Sequence, residues 1–322
     1  MTDDRPVLLL VGDETGDHGG WARLHIERRY RLLSVHMGDG RQATVPSSAR
    51  GVVAFHEAAA DRALSLAESA GLPTAALRTV ACHRATGTRG STPYGEPTPD
   101  TALTAVVVSM VMDGMPSPLF VARPEGEAGD IGYLVEAADP LLRRASVTEA
   151  VRTAHQELGI RGGLTATEIH VAGRGVGQQT ACPRVDGLLG TNPLLRAGSL
   201  ATGIDYPLVW ADLAAGSQPD LTPRRNSAAA VRFTGSGGER ALTTANLDVD
   251  ELPGGIWEVH LITTGDTFSE RGSASPTVFA VAVGEDAAAC RRALDLLSGT
   301  LRLRHRQQPM EPTERNQRRT HA

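Results

Sequence analysis

Residues 162–216 bring the chain's chemically active side chains closest together. In the strand-like run 165–171 the side chains alternate between two faces, so Glu168 and His170 point to the same side of a sheet. Asp186 follows in the next strand-like run. Two carboxylates and an imidazole suit Zn²⁺, Mn²⁺ or Fe²⁺ better than Mg²⁺, which makes a divalent-metal site one interpretation of this stretch.

Arg184 supports a different interpretation of the same residues. An arginine beside Glu168 on the neighbouring strand forms an opposite-charge cross-strand pair, a common arrangement in sheets that neutralises both side chains. We prefer this structural pairing for Glu168. Metal binding by Glu168 and Asp186 stays open as the alternative.

Cys182 is a further candidate for catalysis. A cysteine nucleophile needs a neighbouring base or cation, which His170 could supply from the adjacent strand. A lone cysteine in a strand is more often a small buried apolar residue, and we prefer that interpretation. The candidate catalytic residues are therefore Glu168, His170 and Cys182.

Composition excludes one large class of partners. The chain has 322 residues and a net charge of −5, and all 32 of its basic residues are arginine. Residues 302–322 carry six arginines against Glu311 and Glu314, which leaves −9 for the residues before them. This negative net charge argues against nucleic-acid binding, because that function needs a positively charged surface.

Cysteine spacing and the first apolar run predict the cellular location. Cys82, Cys182 and Cys290 are odd in number and widely spaced, as expected for reduced thiols of a cytoplasmic protein. The run 7–11 is too short for a signal peptide or a membrane span. We therefore expect a cytoplasmic protein that has no membrane partner.

The elements that must position these residues begin with a Rossmann-like pattern. Strands are expected at 6–12, 31–36 and 51–55, and helices at 21–31 and 57–70. Asp113-Gly114 predicts a hairpin within 101–123, and an amphipathic helix follows over 140–158. The remaining expected elements are strands at 228–239, 254–266 and 277–286, a helix at 286–298 and a disordered tail at 305–322.

Three segments resemble the ATP-grasp superfamily, in particular its carboxylate–amine ligases: ALSLAESAGLP (63–73), TATEIHV (165–171) and LATGIDYPLVWADLAAG (200–216). The resemblance implies a fold between α/β and α+β, with a Rossmann-like N-terminal lobe followed by an antiparallel sheet with helices. It also implies ATP and Mg²⁺ as cofactors, with Glu168 at a metal-ligand position.

The chain departs from the family pattern in three places. Where the family has Glu, Asn and Arg, the chain has Arg184, Asp186 and Leu188. Segment 82–89 stands where the family has nucleotide-binding Lys and Arg residues, and its cations are Arg84 and Arg89. A linker at 89–100 runs directly into the hairpin, where the family has a lid subdomain that covers the nucleotide.

These departures predict a degenerate ATP-grasp-like protein that lacks the lid, needs no cofactor and does not ligate alone. Such a protein would serve as a partner subunit, or bind a small carboxylate or peptide metabolite in specialised metabolism. Two enzyme alternatives stay open. One is an active carboxylate–amine ligase that uses ATP through Arg84, Arg89 and Arg184, and Mg²⁺ through Glu168 and Asp186. The other is ATP-independent chemistry in the same cleft.

The expected domains are a Rossmann-like lobe with its linker (1–100), a reduced ATP-grasp core (101–235), a C-terminal lobe (236–304) and the tail (305–322). Loss of the lid is expected to leave an uncovered surface near 103–108. Because uncovered apolar surfaces usually mark interfaces, we expect a homo-oligomer or a heteromer with another protein.

Overall fold

The computed structural model of the protein describes residues 4–12, 17–35, 45–85, 103–125, 130–172, 179–235, 254–262 and 277–307. None of the helices in these ranges is both long and apolar enough to span a membrane. The predicted linker at 89–100, and with it the predicted absence of a lid, lies within 86–102, outside the described residues.

A three-stranded parallel sheet with the strand order β2-β1-β3 forms the N-terminal lobe. Its strands are β1 (Val7–Val11), β2 (Arg31–Val35) and β3 (Ala49–Ala54), and its helices are α1 (Asp17–Ile26), α2 (Glu57–Ser69) and α3 (Ala75–Ala85). All five residues of β1 are buried, as expected for the central strand of a parallel sheet. The predicted Rossmann-like lobe is confirmed, although α3 was not predicted.

An eight-stranded sheet follows, with the order β10-β11-β9-β6-β5-β4-β7-β8 and antiparallel neighbours throughout. Its strands are β4 (Leu103–Met112), β5 (Met115–Glu125), β6 (Asp130–Glu136), β7 (Gly163–Ala172), β8 (Gln179–Leu188), β9 (Ala228–Gly235), β10 (Ile256–Ile262) and β11 (Thr277–Gly284). The predicted boundary between 235 and 236 falls within this one sheet.

The hairpin predicted at Asp113-Gly114 joins β4 to β5. Both residues have positive φ, 52° and 79°, as a two-residue type I′ turn requires. The helix predicted over 140–158 is divided into a short 3₁₀ helix, Pro140–Arg143, and α4 (Ala145–Glu157). Asp139 caps the first of these, because its carboxylate accepts the backbone N–H of Leu141 at 2.8 Å.

Helices cover both faces of the large sheet. α4 and α7 (Ala287–Gln307) pack on one face, against buried residues such as Val107, Val121 and Leu134. α5 (Pro193–Thr202), α6 (Tyr206–Ala214) and the N-terminal lobe pack on the other, against Val108 and Phe120. We call these the α4 face and the lobe face. One continuous core joins the lobe to the large sheet across the lobe face.

Two expectations are wrong. The surface expected near 103–108 is covered, since Ala105–Val108 are buried in a strand that lies between β5 and β7. The predicted disordered tail begins too early, because α7 continues to Gln307. The rest of that tail, 308–322, lies outside the described residues.

Candidate functional site

Strands β7 and β8 bring four charged or titratable side chains together at one side of the sheet. Glu168 lies opposite Arg184 in the strand register, and Asp186 lies opposite Ala166. As the alternation predicts, Glu168 and His170 share a face, and His170 Nε2 is 2.8 Å from Glu168 Oε1. Ala166 belongs to the core on the lobe face, so this is also the face of Glu168 and His170.

We call Glu168, His170, Arg184 and Asp186 the charged cluster. Arg184 Nε is 2.7 Å from Asp186 Oδ2, so the guanidinium donates to that carboxylate. The four side chains are between 21 and 31% exposed, so water can reach them. Each carboxylate of the cluster therefore already contacts a basic side chain.

Cys182 does not share a face with the charged cluster. Glu168 pairs with Arg184 but His170 pairs with Ala181, so two residues of β7 span three of β8, the signature of a β-bulge. Cys182 packs against the apolar cluster that contains Ile169 and Val171, on the α4 face. The candidate role in which His170 activates Cys182 is therefore wrong, because the bulge turns the thiol to the other side of the sheet.

Burial also makes Cys182 a poor nucleophile. Removal from water raises the pKa of its thiol to about 11, because the buried thiolate loses its hydration. A thiol with this pKa is almost fully protonated near pH 7. Cys182 therefore behaves as the small apolar residue that the sequence favoured.

Arg84 and Arg89 can be placed only in part. Arg84 lies in the last turn of α3, where the side chains are not described, and Arg89 lies outside the described residues. The backbone of α3 passes Gly187 of β8 at Thr79, where a Cβ on the glycine would stand 2.8 Å from the helix backbone. Five further helical residues rise about 7.5 Å beyond Thr79, which is roughly the length of two strand residues.

No sequence pattern indicated the contacts that hold the N-terminal lobe against α6 and its N-cap. Asp212 of α6 accepts two hydrogen bonds from Arg29 Nη1, at 2.8 and 3.0 Å, and one from Tyr30 Oη at 2.7 Å. Asp205 is 2.8 Å from His25 Nδ1 and also accepts the N–H of Leu208. His25 thus joins two elements that lie 180 residues apart in the sequence.

A second concave site is acidic. A cavity of about 180 Å³ is lined by Glu136, Asp139, Glu285 and Asp286, among others. Two of these carboxylates have structural partners. Asp139 binds Arg123 through both oxygens and caps the 3₁₀ helix, while Asp286 accepts the N–H of Ala289 in the first turn of α7.

The charged cluster does not fit the Mg²⁺ ions that the resemblance implies. Mg²⁺ requires hard oxygen ligands in a nearly octahedral array, whereas Arg184 brings a permanent cation against Asp186 and opposite Glu168. Within the described residues, no group of three or more His, Cys, Asp or Glu side chains is arranged to hold a metal ion.

Comparison with known proteins shows the fold. No protein-family model and no curated protein matches the sequence. Among solved structures, an L-amino acid ligase from Bacillus licheniformis is similar with a TM-score of 0.63 at 11% identity, over 93% of this chain and 98% of that one. A phosphoribosylglycinamide synthetase from Anaerococcus prevotii is similar with a TM-score of 0.56 at 11% identity, over 92% of this chain and 98% of that one.

A third similar structure is an N5-carboxyaminoimidazole synthase from Aspergillus clavatus in complex with ADP and 5-aminoimidazole ribonucleotide. Its TM-score is 0.54 at 11% identity, over 93% of this chain and 99% of that one. At such identities the likeness concerns the fold and leaves the chemistry to the residues of the site. The chain therefore has the ATP-grasp fold.

Proposed function

We propose that this ATP-grasp-fold protein binds a small carboxylate or peptide metabolite and does not carry out ATP-dependent ligation on its own. The observation that carries the proposal is the position of Arg184, opposite Glu168 and 2.7 Å from Asp186. A guanidinium cannot lose its proton in a protein, so it competes permanently with any metal ion for these two carboxylates.

Phosphate binding is weakened for a second reason. The chain contains no lysine, so any phosphate contact would have to come from arginine side chains, backbone N–H groups or neutral polar groups. Arg84 lies at the end of α3, a helix that packs on β8 at Gly187. We therefore assign the cleft to a metabolite whose recognition needs no nucleotide, and we expect no resident cofactor.

The same proposal includes the setting in which the protein works. We expect a cytoplasmic partner subunit, or a metabolite-binding homo-oligomer, in specialised metabolism. The net charge of −5 supports a partner other than nucleic acid.

One observation favours an active carboxylate–amine ligase as a second candidate. The similar structures include an L-amino acid ligase whose chain is matched over 98% of its length. In that alternative, Arg84, Arg89 and Arg184 replace the lysines, and Glu168 and Asp186 hold one Mg²⁺. ATP-independent catalysis would have to use Glu168 or His170, because Cys182 faces away from them.

A nucleotide-binding assay separates the two candidates. The melting temperature of the wild-type protein is measured with ATP and MgCl₂, with ATP and chelator, and with MgCl₂ alone. A ligand at a hundredfold excess over its dissociation constant stabilises the folded state by about 2.7 kcal/mol, so binding is easily seen. We expect no increase that requires both ATP and Mg²⁺.

Turnover is measured in the same samples as release of phosphate and ADP with each of the common amino acids, singly and in pairs. We expect no release above that of the heat-denatured protein. A rise in melting temperature that needs both ATP and Mg²⁺, or any amino-acid-dependent release of phosphate, would establish the ligase instead.

A further inference from the structure

We infer that Arg184 takes the place of a metal ion in the charged cluster, and that a divalent-metal site becomes available when this guanidinium is removed. The inference goes beyond the proposed function, since it holds whichever metabolite binds. It starts from the disagreement between the residues of the cluster and the magnesium that the fold family implies.

The first step is the geometry of the three side chains whose oxygen or nitrogen atoms could bind a metal ion. Glu168 and Asp186 are diagonal neighbours on adjacent strands, because Asp186 lies opposite Ala166. Diagonal positions in an antiparallel pair are about 7 to 8 Å apart, within reach of side chains as long as glutamate. His170 is already in contact with Glu168, so the three donors lie on one face of two adjacent strands.

The second step is charge. Without Arg184 the cluster holds two carboxylates and an imidazole that are each only 21 to 31% exposed. Two such carboxylates repel one another in a partly desolvated cleft, and a cation between them removes the repulsion. Arg184 supplies that cation covalently, from the strand position directly opposite Glu168.

The third step is the choice of metal. An imidazole with two carboxylates is a donor set for Mn²⁺, Zn²⁺ or Fe²⁺ more than for Mg²⁺, which prefers oxygen alone. We use Mn²⁺ as the probe because it accepts both nitrogen and oxygen ligands and is detected directly by its paramagnetism.

The experiment compares four full-length proteins: wild type, Arg184→Glu, Arg184→Gln and the double variant Glu168→Gln with Arg184→Glu. The matched control is Arg224→Gln, which removes an arginine from an exposed pair with Asp220 that is not part of the cluster. Mn²⁺ binding is measured by titration and by electron paramagnetic resonance, and the melting temperature is measured with chelator and with MnCl₂.

We expect wild type and Arg224→Gln to bind no stoichiometric Mn²⁺ and to melt at the same temperature with chelator and with metal. Arg184→Glu is expected to melt below wild type in chelator and to recover with one Mn²⁺ per chain. The double variant should bind Mn²⁺ at least about tenfold more weakly than Arg184→Glu, since it lacks one ligand. Arg184→Gln, which adds no carboxylate, should show a smaller gain in Mn²⁺ binding over the wild type than Arg184→Glu.

Two results would overturn the inference. One is stoichiometric Mn²⁺ binding by the wild type, because Arg184 would then leave the site open. The other is a folded Arg184→Glu, or Arg184→Gln if the former does not fold, that binds no more metal than Arg224→Gln. Neither result depends on ATP, whereas the nucleotide assay does, so a failure of this inference can be told apart from a failure of the proposed function.

Discussion

Cys182 shows how much a side chain's chemistry depends on the face it occupies. It packs on the α4 face beside Ile169 and Val171, and burial raises the pKa of its thiol from 9.0 to about 11. The reactive form is the thiolate, whose share near pH 8 falls about tenfold for each unit that the pKa rises. We therefore expect iodoacetamide to alkylate Cys182 about a hundredfold more slowly in the native protein than in the unfolded chain at pH 8.

The measurement is a time course of alkylation at pH 8, followed by peptide mass spectrometry, with and without urea. Cys290 is an internal reference, because it is fully buried and burial likewise raises the pKa of its thiol to about 11. Native Cys182 that reacts as fast as the unfolded chain, while Cys290 stays protected, would contradict the placement and reopen a catalytic role.

The site was predictable as far as strict strand alternation holds. Alternation along β7 gave the shared face of Glu168 and His170, and the position of Arg184 opposite Glu168 followed from pairing β7 with β8. The same rule, applied backward from Arg184, puts Cys182 on the cluster face. The β-bulge adds one residue and reverses that result, and nothing in the local composition announces it.

Among the elements, those with a strong apolar pattern or a turn signal were predicted closely, whereas α3 was not. The helix packs through small residues: a Cβ at Gly162 would stand 2.8 Å from the Ala75 side chain. A Cβ at Gly187 would likewise stand 2.8 Å from the backbone of Thr79. Such contacts depend on the absence of side chains rather than on a stripe of large apolar ones, so apolar periodicity carries little information about them.

Gly51 makes the closest approach of this kind and gives a prediction at the element scale. A Cβ built at Gly51 in β3 would stand 2.0 Å from the carbonyl oxygen of Ala214 at the end of α6, and a backbone atom cannot rotate away. Overpacking commonly costs about 1 to 3 kcal/mol, and we expect Gly51→Ala at the upper end of this range. Urea denaturation measures the change in the free energy of unfolding.

Gly20→Ala is the matched control. Gly20 lies in α1, is exposed, and has no heavy atom within 4 Å of the position of a new Cβ. Alanine is favoured over glycine in a helix by up to about 1 kcal/mol, so this variant should be neutral or slightly more stable than the wild type. Equal unfolding free energies for the two variants would show that β3 and α6 are not in close contact.

At the scale of the whole molecule, the N-terminal lobe and the large sheet share one core, and the polar contacts at their boundary converge on α6. Asp212 is 1% exposed and accepts hydrogen bonds from Arg29 and Tyr30, which follow α1. Burial and the bond to Asp212 raise the pKa of Tyr30 to about 12, so the phenol keeps its proton and donates at any physiological pH. Contacts between residues more than 180 positions apart leave no pattern in one sequence, which is why this boundary was not predicted.

Asp212→Asn tests whether this boundary holds the lobe in place. The amide keeps one oxygen for Tyr30 but turns an N–H₂ donor toward Arg29 Nη1, which already donates at 2.8 Å. Losing a hydrogen bond to a charged group costs about 1.5 to 3 kcal/mol. Because Arg29 is 47% exposed and water can replace part of the contact, we expect a loss of about 2 kcal/mol in the free energy of unfolding.

Asp220→Asn is the control for the same chemical change at the surface. Asp220 pairs with Arg224, both side chains are about half exposed, and its bond to the N–H of Thr222 survives in the amide. Surface substitutions of this kind usually change the free energy of unfolding by no more than about 0.5 kcal/mol. Urea denaturation at pH 8 compares the two variants with the wild type. Losses of similar size would mean that Asp212 stabilises the molecule no more than a surface carboxylate does, and that the apolar core alone positions the lobe over the charged cluster.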